Sequence, residues 1–134
     1  MTRPLSYEKW VTRLVDNVAT HLDLAGWVIQ VEFSSEEKED RHADNTINTT
    51  YLHSSICFYP PAKRDFDSGH PERVVIAVVH ELVHVLLDPL HGWMCPYLSS
   101  TTTPFFMETL EQQTQKLTMV LLKTLPKSII PPTR

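Results

Sequence analysis

The sequence predicts an α+β domain: one helix, a small and mostly antiparallel sheet, then two further helices. Three observations carry that reading. Apolar residues recur at helical spacing before Gly26, and short alternating stretches lie between residues 27 and 59. Two longer apolar-rich runs then begin at Pro71 and Pro104, a residue that suits the first turn of a helix.

Taken in order, Ser6 is positioned to cap a first helix running to about Leu24. Trp10, Leu14, Val18 and Leu22 form its apolar stripe, and Gly26 stops it. Trp27 to Phe33 alternates like a half-buried strand. Ser34 to Asn45 is polar and without periodicity, which predicts an exposed loop with His42 as a surface residue. A second strand is expected at Thr46–Thr50 and a third at Tyr51–Tyr59. In the third, Leu52, Ile56 and Phe58 share one face, and Tyr51, His53, Cys57 and Tyr59 the other. Pro60-Pro61 ends it, and Ala62–His70 reads as a loop.

From Pro71 the valine-rich run is ambiguous between strand and helix. Pro71-Glu72 makes a good first turn, and the apolar run continues to Leu87, long for a strand. Asp88-Pro89 predicts its end, because the residue before proline avoids the helical region. With apolar residues all round, this is the expected buried central helix. The last helix should span Pro104–Leu122, with Thr103 as N-cap and Phe106, Leu110, Leu117 and Leu121 supplying an apolar stripe. The domain is expected over residues 1–125, followed by an irregular proline-rich tail over 126–134.

The chemistry concentrates in His80-Glu81-Leu82-Val83-His84. On a helix, positions i and i+4 lie nearly above each other, so both imidazoles aim at one point. Such a pair can hold one zinc ion, leaving Glu81 beside the metal as general base toward a zinc-bound water. Two histidines and a glutamate in an apolar helix are costly to bury unless something satisfies them, and a metal ion would. Three such residues can also be satisfied by ordinary hydrogen bonds on a core helix.

Catalytic zinc usually takes three protein ligands. Asp88, His91, Glu108 and Glu111 are the candidates for the third. The metzincin extension is absent, since Leu87 and Leu90 occupy its glycine and histidine positions. Glu108 and Glu111 are neighbours on the last helix, and Glu111 sits nearer the inward stripe, among Leu110, Thr114 and Leu117. Both also fit as solvated acids near a helix N-terminus. Between the two helices, His91 or Tyr97 is placed to hold an oxyanion, or else Trp93 and Tyr97 merely pack a loop.

The chain resembles a small gluzincin-type zinc metallopeptidase of zincin-like fold, in particular the short metallopeptidases encoded by phages and prophages. The resemblance rests on His80–Leu90, on the strand-like Tyr51–Pro60 and on Leu110-Glu111-Gln112-Gln113-Thr114. It implies a central metal-binding helix and a C-terminal helix whose Glu111 is the third ligand. Gluzincins often carry an aspartate four residues after that glutamate, orienting a histidine; here the position holds Gln115.

Composition narrows the rest. With 134 residues, 42% of them hydrophobic, the chain makes one domain with a sizeable core. A net charge of −4 and no lysine-arginine cluster argue against nucleic-acid binding. No eighteen-residue stretch reads as apolar enough to span a membrane, and Met1–Glu8 lacks a signal-peptide core. Cys57 and Cys95 make neither a disulfide framework nor a paired-cysteine zinc site, as expected of a cytoplasmic protein. Three functions follow: a zinc peptidase acting on a peptide or protein substrate, a non-catalytic zinc-stabilised binding module such as a phage accessory factor, or a metal-free helical binder.

Overall fold

A computed structural model describes residues 3–133. Helix α1 spans Tyr7–His21, strands β1, β2 and β3 span Val28–Phe33, Ala43–Asn48 and His53–Phe58, and helices α2, α3 and α4 span Pro60–Asp67, Pro71–Met94 and Thr103–Thr124. Short 3-10 turns at Cys95–Tyr97 and Lys127–Ile129 complete the chain. The architecture is α+β, as the sequence predicts.

The strands form one sheet in the order β1-β3-β2. β3 pairs with β2 antiparallel, and with β1 in parallel, Val28 opposite His53. The sheet is therefore evenly mixed and not mostly antiparallel. The segment between β1 and β2 carries the chain across to the far edge, and the β2–β3 turn places β3 in the middle. That turn includes Leu52 at φ 50°, so Leu52 lies outside the strand and does not share the face of Ile56 and Phe58.

One face of the sheet is covered by helices. Ser54, Ile56 and Phe58 are buried along β3, and Trp10, Val11, Leu14, Val15 and Val18 of α1 are fully buried above them. α3 contributes Val74, Val75, Val78, Val79, Leu82, Val83 and Val85 to the same core. Each such side chain contributes about 1.5–3 kcal/mol by leaving water, before entropy is counted. The proline-rich tail is tied down: Trp10 Nε1 donates to the Pro131 carbonyl at 2.7 Å, and Asn17 Nδ2 donates to that of Ile129 at 2.8 Å.

Several local expectations change. α1 ends at His21, and Ser6 holds the cap position without a side-chain hydrogen bond. The segment after Pro60 is helix α2, not loop, with both prolines in the first turn where a missing N–H costs nothing. β2 begins at Ala43, so Asp44 and Asn45 are strand residues. Thr102, not Thr103, takes the N-cap position of α4.

The largest change is at Asp88-Pro89, where α3 does not stop but continues to Met94. Proline forfeits its own bond to the carbonyl four residues back and crowds that carbonyl with its ring, a cost of about 3 kcal/mol. Leu87 still packs against the core and α4 still packs along α3, so tertiary contact outweighs the local preference. Nor is α3 buried all round: Ile76, Leu86, Leu90 and Trp93 are well exposed. By length and composition the Pro71–Tyr97 stretch is apolar enough to cross a membrane, against the sequence expectation, although 44% of its most apolar window is buried within the domain.

Candidate metal centre

α3 and α4 form a hairpin joined through Cys95–Thr102. The side chains that α4 buries are small. Thr114 and Thr118, the buried residues of α4, satisfy their hydroxyls on their own helix by donating to the Leu110 and Thr114 carbonyls. Compact, internally satisfied side chains let the two helices approach without stranding a polar group. Glu111 lies one turn before Thr114 on that face, and so its carboxylate meets α3 at the level of the histidines.

There the three side chains converge. The Nε2 atoms of His80 and His84 stand 3.1 Å apart. Glu111 offers one oxygen to each ring, Oε1 to His80 and Oε2 to His84, both at 3.2 Å. The rings cross at 82° with centroids 4.7 Å apart, so their edges face a common point. Zinc with bonds of about 2.0–2.1 Å and tetrahedral angles separates its ligand atoms by about 3.3 Å. The two nitrogens stand close to that spacing, each faces a different oxygen of the Glu111 carboxylate at a similar distance, and a nitrogen, nitrogen, oxygen set is donor chemistry zinc accepts. Burial, then the neighbouring His80, lowers the pKa of His84 against the opposing pull of Glu111 and Asp88, favouring the neutral, metal-ligating imidazole.

Glu81 stands beside the trio, 8% exposed. Burial, reinforced by the negative charges of Asp44 and Glu111 and opposed by Arg41, pushes its carboxyl up to about 8. Its backbone is fixed by β2: Asn45 Nδ2 donates to the Glu81 carbonyl at 3.0 Å, while Asn45 Oδ1 accepts from the Ser54 hydroxyl at 2.6 Å.

All four residues open onto one cavity of about 750 Å³. Its opposite wall comes from the start of β2 and the first turn of α3, through Arg41, His42, Asp44, Asn45 and Arg73. Sequence reasoning missed this wall. His42 is not a bare surface residue, for its Nε2 lies 2.6 Å from Asp65 Oδ2, while Arg73 Nη1 donates to Asp65 Oδ1 at 3.1 Å. Only Arg73 left a signal, lying seven residues before His80 on the same helical face.

The other ligand candidates lie apart from this group among the described residues. Asp88 accepts a hydrogen bond from the Thr49 hydroxyl, tying the β2–β3 turn to α3. His91 lies against Phe106 and 3.2 Å from Cys95 Sγ. Glu108 is exposed on α4, and Tyr97 is 77% exposed. Neither Tyr97 nor His91 lines the cavity, so the oxyanion role expected of them has no geometric support; Gln115 does line it. Compared with protein-family models, curated proteins and solved structures, the chain matches none.

Proposed function

We propose that the protein is a zinc-dependent peptide-bond hydrolase of gluzincin type, with His80, His84 and Glu111 as metal ligands and Glu81 as general base. The single observation that carries this reading is the convergence of two imidazole nitrogens and a carboxylate within 3.1–3.2 Å of each other, next to a buried carboxyl in an open cavity. When bound, zinc lowers the pKa of a coordinated water to about 7 and polarises a carbonyl.

The chain's own residues supply the rest. Without metal, burial keeps the Glu81 carboxyl protonated up to about pH 8; with a dication beside it the charged form is favoured, and that carboxylate can take a proton and return it to a departing amine. Asn45 fixes the backbone of Glu81 and thereby where its carboxyl stands. The outer edge of β2 is unpaired among the described residues, and Ala43, Asp44, Asn45 and Ile47 border the cavity, so an extended peptide can pair with that edge. Cys57 and Cys95 are free thiols, which fits our reading of a cytoplasmic protein.

Metal analysis tests the ligands. One zinc per chain is expected in wild type and Glu108→Ala, and loss of zinc in His80→Ala, His84→Ala and Glu111→Ala. Glu81→Gln should retain zinc while hydrolysis falls by about 10²–10⁴-fold. Unchanged hydrolysis in that variant would remove the base assignment. A short hydroxamate separates this reading from a non-catalytic zinc-stabilised module: an open metal position binds it, a closed one does not.

A further inference from the structure

Two arginines, Arg41 and Arg73, line the cavity together with the histidines. Arg73 lies in the first turn of α3, where a cation faces the positive end of the helix dipole. Asp65 holds one of its nitrogens, at 3.1 Å, and the side chain is 57% exposed, leaving donors of the guanidinium fork directed elsewhere. Arg41 is held less firmly. Its nearest carboxylate oxygen, Asp44 Oδ2, is 3.7 Å away, beyond hydrogen-bond reach, and already accepts from Lys38 at 3.0 Å and from the Tyr59 hydroxyl at 2.8 Å. Arg41 is nonetheless close enough for its charge to be felt at Glu81.

We propose that Arg41 and Arg73 form a carboxylate-binding subsite, so that the peptide taken into this cavity carries an acidic group about three residues from the bond at the metal. The distance follows from the helix. Arg73 precedes His80 by seven residues, about 10 Å along the axis at 1.5 Å per residue. An extended peptide covers that span with about three residues at 3.3 Å each. Two guanidinium groups suit a carboxylate because each presents parallel N–H donors. An acidic side chain and the free C-terminus of a short peptide both present this group, and the test below tells them apart. This inference rests on the hydrolase reading for the placement of the reacting bond, but not for the binding itself.

The test is binding of peptides to zinc-loaded Glu81→Gln, which removes turnover from the measurement. Matched peptides carry glutamate or glutamine at each position, with free or amidated C-termini, and anisotropy reports affinity. One acidic position, or the free terminus, should improve affinity about tenfold, and Arg41→Gln/Arg73→Gln should bring that ratio to about one. Loss of preference only on amidation assigns the terminus; loss only on the glutamine exchange assigns a side chain. Equal affinity for acidic and neutral peptides, no binding of either, or a preference that survives the double variant overturns the subsite. If the preference is present but wild type cuts none of the peptides, the subsite stands and the hydrolase reading falls.

Discussion

In the metal-free protein, Glu81 makes folding stability depend on pH with a sign opposite to that of most carboxylates. Its carboxyl titrates at about 8 when folded, against 4.5 as the ordinary value. Between those limits the folded protein binds one proton more than the unfolded chain, so stability falls as pH rises, by about 1.36 kcal/mol per unit. The accumulated cost is nil near pH 4, about 3 kcal/mol at pH 7 and about 5 kcal/mol above pH 8. Glu81→Gln removes the ionisable group and keeps its size. Urea denaturation in the presence of a chelator, from pH 4 to 9, should therefore show a variant that matches wild type at pH 4 and exceeds it by about 3 kcal/mol at pH 7. Saturating zinc should flatten the difference, since a dication beside Glu81 favours its charged form. A difference between the two proteins that is constant across this range would refute the burial argument.

Three further outcomes follow from single contacts. Asp65 is held below the ordinary carboxylate value, first by His42 and then by Arg73, so it stabilises the fold above about pH 4 and that contribution is lost as pH falls through its lowered value. Asp65→Asn should lower the urea midpoint at pH 6 and shrink the gap between pH 6 and pH 3. Asn45→Ala leaves the buried Ser54 hydroxyl without its partner and removes the second donor to the Glu81 carbonyl, and should cost about 1–3 kcal/mol by urea unfolding. Leu82→Ala, at a position fully buried between the two histidines of the motif, should cost about 2–5 kcal/mol and lower the melting temperature accordingly.

What the sequence disclosed and what it withheld divides by range. His80 and His84 are brought together by one helical turn, and the run around them is long and apolar enough to mark the helix; both facts are local. Glu111 was legible only at one remove: the sequence set it among Leu110, Thr114 and Leu117 beside an apolar stripe, whereas the residues α4 buries are Thr114 and Thr118, and Leu117 is exposed. Pro89 misled because its local penalty is small beside the packing of a 24-residue helix against α4 and the core. The parallel pairing of β1 with β3 is invisible to alternation, which reports which residues face inward and not which strand lies beside which.

That division explains why one wall of the cavity could be read and the other could not. The histidines and Glu81 share a helix, whereas Arg41, His42, Asp44 and Asn45 reach the cavity only because β2 lies at the sheet edge beside α3. Had the sheet order been β1-β2-β3, β2 would be the central strand, and these residues would not stand at an open edge facing α3. The placement of β2 therefore does two things at once: it anchors Glu81 through Asn45 and leaves a strand edge next to the histidines that is unpaired among the described residues. If that coupling is real, Asn45→Ala should disturb peptide binding in zinc-loaded Glu81→Gln even though residue 45 need not touch the peptide through its side chain. Affinity unchanged in the double variant, with its fold intact, would mean that the strand edge and α3 act independently.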